Sequence, residues 1–457
     1  DLGHHRNLLV AATGTGKTVM AAVDYVRLRQ ELPRSRLLFV AHREEILDQS
    51  RATFRHALRH GAFGEKWVAG HRPERFEHVF ASIQSLNSTD VRRVDPTRFD
   101  VVIVDEFHHA AAPSYEALLD HLEPVELLGL TATPERADGL DVLRHFDGRI
   151  AAELRLWDAI DQQYLAPFAY FGVHDGLDLR DIPWRRGQGY DVASLEGVLT
   201  ADHAWAHRVI EELRRKTGDI SRTRALGYCV SVGHARFMAE RFTALGLPAI
   251  ALSAASRSDD RRNALRDLAA GNVRAIFTVD LFNEGIDIPN VDTLLLLRPT
   301  ESPTLFLQQL GRGLRRAAGK SECIVLDFVG THRKEFRFDR RLRALLGGSR
   351  IDVERQVRNG FPFLPAGCSF DLDQVAQEIV LRVRVSHSST LRGHEDRSGV
   401  IAGQGLVPAL RPERGERADG RLANRLALYR ESWCRMARSS SRTWSRSTSL
   451  PPPAVRT

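Results

Sequence analysis

Short, nearly continuous apolar runs recur along the first 330 residues, separated by stretches with helical spacing. Runs of this kind are typical of parallel strands buried on both faces, because the intervening helices cover the sheet. In the first half the runs that predict strands are Leu8–Ala12, Leu37–Ala41, His78–Ile83, Val101–Asp105 and Glu126–Thr131. A second series is Ala225–Val230, Ala249–Ser253, Arg274–Val279, Thr293–Leu297 and Cys323–Asp327. The pattern predicts two doubly wound α/β domains in tandem.

The same pattern divides the chain into segments. We expect an α/β domain over residues 1–150, a linker or small insertion over 151–200, a second α/β domain over 201–345 and a packed extension over 346–385. The extension includes the apolar loop Phe361–Gly367, which we expect to be packed. Residues 386–457 are rich in Arg, Ser and Pro, a composition typical of disorder.

The net charge adds little to this domain prediction once its distribution along the chain is considered. The chain carries a net charge of +7, and a hydrophobic content of 43% is ordinary for a globular protein. From Arg382 to Thr457 there are 15 Arg and 6 Asp or Glu, a net charge of +9, which leaves −2 for the first 381 residues. The basic balance therefore belongs to the C-terminal tail and does not by itself indicate a nucleic-acid site in the two α/β domains.

The spacing of the cysteines and the length of the apolar runs predict the cellular compartment. Four cysteines are far apart in sequence and form no pairs at metal-ligand spacing, which is typical of reduced thiols in a cytosolic protein. No apolar run reaches the length of a transmembrane helix, so we expect no membrane partner. We expect a cytoplasmic protein of the bacterial cytosol or nucleoid.

A glycine-rich turn directly after the first predicted strand carries the clearest chemistry. Residues Ala11–Thr18 read Ala-Ala-Thr-Gly-Thr-Gly-Lys-Thr. Backbone N–H groups, a helix N-terminus and a lysine at this spacing bind a polyphosphate. The predicted nucleotide-binding residues are Thr13, Gly14, Thr15, Gly16, Lys17 and Thr18. Lys17 is expected to reach the β- and γ-phosphates, and the hydroxyl of Thr18 to bind Mg²⁺.

Two carboxylates at the end of a later apolar strand form, together with the phosphate loop, one wall of a predicted hydrolytic site. In Val101–Glu106 the apolar run ends in Asp105 and Glu106. Asp105 is predicted to bind Mg²⁺, and Glu106 to polarise the water that attacks the γ-phosphate. The alternative is a solvated strand end, which the matching phosphate loop disfavours. The two motifs together predict an ATP hydrolase with ATP and Mg²⁺ as cofactors.

Polar residues beside these motifs are candidates for coupling. His108 and His109 follow the carboxylates, but no further ligands stand at metal-like spacing, so we interpret His108 as a polar connector at the domain cleft. Thr131 and Thr133 end the last strand of the first domain and are placed to hydrogen-bond towards the carboxylate strand. An ordinary strand-end turn is the alternative for these two.

A basic helix is predicted in the second domain at Gln308–Arg316. Arg312 and Arg315 lie three positions apart and so share one helix face. Taken alone, this would be a solvated basic helix. Beside a hydrolytic site that lacks an arginine, we expect both to act as arginine fingers across the cleft, a role worth roughly 10³–10⁵ in rate.

These strings, in this order, resemble the superfamily 2 helicases of the Asp-Glu-x-His class over roughly residues 5–330. The matching segments are the phosphate loop Ala11–Thr18, Ala41–Arg43, Ala81–Leu86, Asp105–His108, Thr131–Thr133, Tyr228–Ser231, Thr278–Pro289 and Gln308–Arg315. Within that superfamily the motif sequences are similar to those of bacterial DNA helicases that share a motor with restriction-enzyme translocating subunits and eukaryotic repair helicases. Phe361–Asp373 resembles the segment after the motor in members that often carry an upstream phospholipase-D-like nuclease domain.

The resemblance implies tandem RecA-like domains and an ATP-dependent DNA helicase. It adds Gly285 and Asp287 to the nucleotide site and Gln308 to the catalytic set. It implies nucleic-acid contacts at Arg43, Ser82, Gln84 and Thr278, and it favours DNA over RNA. Alternatives are a double-stranded DNA translocase of restriction type and a hydrolysis-deficient DNA-binding fragment. The family's adenine-reading segment precedes the phosphate loop, so a chain beginning at Asp1 leads us to expect an N-terminal truncation.

Overall fold

The computed structural model describes residues 3–88, 91–107, 113–133, 142–185, 188–201, 203–279, 291–333 and 335–382. All of them fall within one contact-defined unit, Asp1–Thr390. The tail 386–457, for which the composition predicts disorder, lies outside the described residues.

The first domain is built on a parallel sheet. Its strands are β1 (Arg6–Ala11), β2 (Leu37–Ala41), β3 (Glu65–Trp67), β4 (His78–Ser82), β5 (Val101–Val104), β6 (Glu126–Thr131) and β7 (Ala152–Leu154). Among the described residues they form a seven-stranded sheet in the order β3-β4-β2-β5-β6-β1-β7. Every residue of β2 and β5 is buried, because helices cover both faces of the sheet.

Helices alternate with these strands. They are α1 (Lys17–Glu31), α2 (Glu44–Leu58), α3 (Ile83–Ser88) and α4 (Pro113–His121). In α2 the buried residues Ile46, Leu47, Ser50 and Phe54 share one face, which packs on the sheet. Two hydrophobic clusters, one around Phe39 and one around Val104, fill the space between the sheet and its helices.

The second domain repeats the architecture. Its strands are β8 (Phe168–Asp178), β9 (Trp184–Arg185), β10 (Gly189–Tyr190), β11 (Ala225–Tyr228), β12 (Ala249–Leu252), β13 (Ala275–Thr278), β14 (Thr293–Leu296), β15 (Cys323–Thr331) and β16 (Ser369–Leu372). Among the described residues a parallel seven-stranded sheet has the order β12-β13-β11-β14-β15-β8-β16, and β9 pairs with β10 in a separate hairpin. Two parallel-sheet α/β domains in tandem confirm the predicted fold class.

The helices of this part begin with α5, which belongs to the connecting segment (residues 155–167) between the domains. They are α5 (Leu156–Asp161), α6 (Val192–Ala201), α7 (His203–Thr217), α8 (Val232–Ala244), α9 (Ser258–Ala270), α10 (Pro303–Gly313), α11 (Asp339–Leu346), α12 (Arg350–Arg358) and α13 (Gln374–Arg382). The start of α10 is set by Ser302, whose hydroxyl accepts a 3.2 Å hydrogen bond from the Leu305 N–H, and by Pro303 at the first helical position.

The segment interpreted as a linker over 151–200 contains regular structure that the apolar pattern did not predict. Its first residues form β7 at the edge of the first sheet, and Phe168–Asp178 forms the long strand β8 of the second sheet. Glycine, histidine and aspartate interrupt the apolar run in β8. Six of its first eight residues are buried, and β15 and β16 pair with it on either side. Its place inside the sheet is a tertiary effect that local sequence does not carry.

The extension 346–385 joins the second domain. Strand β16 adds to the edge of its sheet, and Val353, Val357 and Ala376 enter the main hydrophobic cluster. Within the apolar loop, Phe361 is buried at 6% exposure, whereas Phe363 is 86% exposed. Packing of the loop therefore depends on Phe361, and the other phenylalanine faces solvent.

Three further properties of the described residues concern metal ligands, membrane-spanning helices and cysteine thiols. Among them no group of three or more His, Cys, Asp or Glu is arranged to hold a metal ion. None of the described helices combines the length and apolar character needed to cross a membrane. Cys229, Cys323 and Cys368 carry free thiols, and burial raises the pKa of Cys323 to about 12, so this thiol stays protonated near neutral pH.

A buried ion pair lies beneath α10. Arg341 and Asp327 are 2.9 Å apart with side chains only 3% and 2% exposed. The Tyr170 hydroxyl donates to the same carboxylate, and burial raises the pKa of that phenol well above its usual value. The guanidinium of Arg341 also lies over the rings of Phe306 on α10 and Phe338, at 5.2 and 4.1 Å.

We expect Arg341→Ala to lower the free energy of unfolding of the second domain by about 3–5 kcal/mol, because it leaves the Asp327 carboxylate buried without its cation. Arg262→Ala is the matched control, since Arg262 pairs with Asp259 on the exposed face of α9 and should cost about 1 kcal/mol or less. Denaturant unfolding measures both. Equal effects of the two substitutions would contradict the assignment of the buried pair as a structural support.

Candidate active site in the cleft between the domains

The phosphate loop follows β1 and turns on two glycines. Gly14 and Gly16 have φ angles of 93° and 88°, a left-handed backbone that favours glycine. The hydroxyl of Thr15 donates a 2.7 Å hydrogen bond to the Ala12 carbonyl and closes the turn. Gly16 is also the N-cap of α1, so the N–H groups at the start of that helix open towards the loop.

Lys17 and Thr18 are the first two residues of α1. Lys17 is buried, and its ammonium group donates to the Ala11 carbonyl at 3.2 Å. This contact holds the charge across the mouth of the loop, where phosphate oxygens would compete for it. Thr18 is partly exposed beside it.

The predicted carboxylates stand at the end of β5. Asp105 and Glu106 are both buried, and the Glu106 N–H donates to the Asp105 carboxylate at 3.0 Å. Glu106 has a φ of 50°, which is a strained conformation for a residue with a Cβ atom. The backbone therefore changes direction directly after β5, at the edge of the sheet where both carboxylates lie.

Sheet order explains why these motifs meet. Strand β6 lies between β5 and β1, and all are parallel, so their carboxyl ends share one edge. Thr131 at the end of β6 therefore lies between the phosphate loop and the carboxylates. In open parallel sheets this edge is where ligands bind.

The two threonines predicted to couple differ in the structure. The Thr131 hydroxyl donates to the Thr133 carbonyl at 3.0 Å and accepts from the Thr133 N–H at 3.2 Å. That hydroxyl therefore closes its own turn, which matches the alternative interpretation for Thr131. The Thr133 hydroxyl is buried and has no partner among the described residues.

Helix α10 of the second domain packs directly on the phosphate loop. A Cβ atom at Gly311 would lie 2.5 Å from the Cβ of Thr13 and 2.7 Å from its carbonyl oxygen. A Cβ at Gly14 would lie 2.9 Å from the Gly311 carbonyl oxygen. Since such distances are too short for a side chain, the two backbones are in contact, and glycine is required on both sides.

Arg315 lies at the same contact but beyond α10, which ends at Gly313, so the prediction that it shares one helix face with Arg312 is wrong. Its Cγ is 3.3 Å from the place a Cβ on Gly14 would occupy. Its backbone forms an antiparallel bridge with Leu165 of the connecting segment, and the Ala166 N–H donates to the Leu314 carbonyl at 2.7 Å. The structure thus brings Arg315 to the phosphate loop through a segment that the sequence indicated only as linker.

The other predicted residues of α10 are buried. Gln308 and Arg312 are 4% and 5% exposed. Arg312 lies near Tyr228, whose hydroxyl donates to the Gln309 carbonyl at 3.4 Å. Burial raises the pKa of Tyr228, and the arginine charge opposes that shift.

A second contact joins the domains on the same side of the sheets. Arg261 on α9 pairs with Glu45 in the first turn of α2 at 3.1 Å and also donates to the Ala254 carbonyl at 2.5 Å. Side-chain exposures of 14% and 49% make this a partly buried ion pair. No sequence signal marked it, because its partners lie 216 positions apart.

The candidate nucleic-acid contacts fall into two groups. Arg43 is the residue before α2, and Gln84 is exposed and donates to the neighbouring His42 carbonyl at 3.2 Å, so these two segments lie together. Ser82 is buried, and its hydroxyl is bonded to Ser85 at the start of α3. Thr278 is fully buried at the end of β13. The side chains of Ser82 and Thr278 are therefore not accessible to a nucleic-acid strand.

Three predicted site residues, His108, Gly285 and Asp287, lie outside the described residues. Their predicted roles stay predictions.

Comparisons with known proteins agree with this geometry. Residues 2–136 match the family described as type III restriction enzyme, res subunit, and residues 207–317 match the helicase conserved C-terminal domain. The chain is 28% identical to "Putative ATP-dependent helicase IRC3" of Saccharomyces cerevisiae, over 70% of this chain and 48% of that protein. It is 29% identical to "Putative mitochondrial ATP-dependent helicase irc3" of Schizosaccharomyces pombe, over 73% and 55%.

Among solved structures, the ATP-dependent type ISP restriction-modification enzyme LlaBIII bound to DNA is similar with a TM-score of 0.57. The identity is 16%, and the match covers 83% of this chain and 31% of that one, so it bears on the fold alone. The chain spans about half the length of the curated relatives it matches.

Fold and site together define a two-domain nucleotide-binding protein in which a phosphate loop on one α/β domain meets an arginine-bearing helix of the other. Each of the two domains matches a family model of restriction-enzyme or helicase proteins. The two family matches, one to each domain, indicate a superfamily 2 helicase, as the motifs predict.

We expect Gly311→Ala to separate the domains. Alanine favours the helix itself by about 1 kcal/mol, so α10 should stay folded while its contact with Thr13 opens. Fluorescence energy transfer between one dye on each domain measures the separation, and transfer should fall. Gly197→Ala on α6 is the control, because a Cβ there meets open space. Unchanged transfer in Gly311→Ala would contradict the role given to this contact.

Proposed function

We propose that this chain hydrolyses ATP in the cleft between its two domains and uses the resulting opening and closing to move along or unwind nucleic acid. The direct packing of the phosphate loop on the helix that carries Arg312, together with Arg315 two residues beyond that helix, supports this most strongly. A nucleotide bound between such walls contacts both of them, so its hydrolysis changes the closure of the cleft.

The residues divide the chemistry among them. Lys17 would exchange its Ala11 carbonyl for phosphate oxygens, and the Glu106 carboxylate would orient the attacking water in line with the γ-phosphate. Arg315, held against the phosphate loop, would stabilise the charge that develops on the transferring phosphoryl group. The close glycine contact keeps water away from this wall of the site.

A magnesium ion suits the donors at this edge. The Thr18 hydroxyl and the Asp105 carboxylate are hard oxygen ligands of the type that Mg²⁺ prefers. Bound there, the ion would neutralise negative charge on the nucleotide phosphates. Asp105 is held for that role by its N–H, which donates to the Val40 carbonyl at 2.9 Å.

We propose DNA as the track in preference to RNA. The match to the res-subunit family of restriction enzymes supports this choice. Arg43 and Gln84 are the side chains best placed to contact a strand, and contacts of their kind to the backbone carry little sequence preference.

Glu106→Gln and Lys17→Ala are each expected to lower nucleic-acid-stimulated ATP hydrolysis by about 10²-fold or more, since one removes the group that orients water and the other a phosphate ligand. Release of phosphate at saturating DNA is the measurement. Glu123→Gln is the control, because this carboxylate is exposed on the same domain. Full activity in Glu106→Gln would overturn its catalytic role.

The choice of polymer is tested by ATPase rates with single-stranded DNA, duplex DNA, RNA and no polymer. We expect the largest stimulation with DNA. Stimulation by RNA alone would contradict the DNA proposal and leave the ATPase proposal standing.

A double-stranded DNA translocase is the second candidate, favoured by the same restriction-subunit similarity. Stimulation mainly by duplex DNA, with displacement of a triplex strand and no separation of a forked duplex, would favour it over a helicase.

A further inference from the structure

Lys320 has a contact set that the nucleotide site does not explain. Its ammonium group donates to the carbonyl oxygens of Val291 at 2.5 Å and Arg315 at 3.0 Å, and also to that of Gly313. Gly313 and Arg315 flank the C-terminus of α10, where helical carbonyls have no partner within the helix. Lys320 therefore closes the end of the helix that approaches the phosphate loop.

The chemistry of the contact is well matched. An ammonium group has three N–H donors, and each of them has a carbonyl acceptor here. Lys320 is partly buried, and burial lowers the pKa of its side chain, while the nearby Cys323 and Asp292 oppose that shift. A partly buried cation satisfied by backbone carbonyls stabilises one backbone conformation, because moving any of the carbonyls leaves a donor unsatisfied.

Arg315 is held from the opposite side as well. Its backbone is bridged to Leu165, which is buried and touches the phosphate loop next to Gly14. The neighbouring Gly313 has no room for a side chain, since a Cβ there would lie 2.6 Å from the Cys323 sulfur. The chain that carries the predicted arginine finger is thus clamped between the connecting segment and Lys320.

The third carbonyl belongs to a different part of the second domain. Val291 is buried and lies two residues before β14, a central strand of the sheet. Lys320 bonds Val291 and the end of α10 at the same time. A displacement of the backbone at either position would therefore be transmitted to the other through one side chain.

We infer that Lys320 is a positioning residue that fixes the backbone of Arg315 against the phosphate loop and couples it to Val291, two residues before β14. The inference deepens the proposed ATPase function and rests on it. Lys320 touches no reacting group, so its effect must pass through Arg315.

Lys320→Met keeps the length of the side chain and removes its donors. We expect kcat of DNA-stimulated ATP hydrolysis to fall by about 10- to 100-fold, within the range that a small misplacement of a catalytic group costs. The KM for ATP should change by less than about 3-fold, because the phosphate loop keeps its own contacts. Lys216→Met is the control: Lys216 pairs with Asp371 at 3.1 Å on the same domain, and its loss should leave kcat unchanged.

A double-mutant cycle separates positioning from general stability. If Lys320 acts through Arg315, adding Lys320→Met to Arg315→Ala should lower kcat by less than about 2-fold further. A residue needed for stability alone would reduce the rate equally in both backgrounds. Thermal unfolding of each variant is followed in parallel, and Lys320→Gln, which keeps two donors, replaces Lys320→Met if the latter does not fold at the assay temperature.

The possible outcomes distinguish a failure of this inference from a failure of the proposed function. Hydrolysis in the wild type that Arg315→Ala slows and Lys320→Met does not would overturn the inference and leave the function standing. Additive losses in the cycle would also overturn it. An inactive wild type would overturn the proposed function, and the inference with it.

Discussion

Backbone contact between the phosphate loop and α10 is the constraint on which the rest of the site depends. At Gly14 and Gly311 the two domains approach too closely for any side chain. That approach fixes the position of Arg315 and determines which residues line the cleft. Contacts made by backbone atoms cannot be adjusted by a change of rotamer, so the cleft closes in a defined register. A motor needs such a register because a small change at the nucleotide must move a whole domain.

The supports behind this contact are built from charge as much as from apolar packing. The Arg341–Asp327 pair lies under Phe306 on one side of α10, and Lys320 closes the end of the same helix. Buried charges of this kind specify one arrangement, because every alternative leaves a cation or carboxylate unsatisfied. The second domain therefore presents Arg312 on a rigid helix and Arg315 directly after it, on backbone that Lys320 supports.

Much of the fold was predictable because its central strands are fully buried apolar runs. β2, β5 and β14 were located within one residue of their observed ends. The edge strands β3, β7 and β16 were not, since they are short and depend on neighbours distant in sequence. At the site, Lys17 and Asp105 carry strong local signals, whereas the roles of Leu165 and Lys320 arise only from tertiary contacts. The sequence could not show that Ser82, a predicted nucleic-acid contact, is buried, because its hydroxyl accepts from the Ser85 N–H in the next helix.

Glu106 illustrates a conflict between durability and activity. Its left-handed backbone costs on the order of 1–3 kcal/mol for a residue with a side chain, and glycine would avoid that cost. If its carboxylate orients water, selection for stability and selection for turnover act in opposite directions at this position. Selection of a mutant library for thermal stability alone would therefore enrich Glu106→Gly. The selected variants would be well folded but would no longer hydrolyse nucleotide.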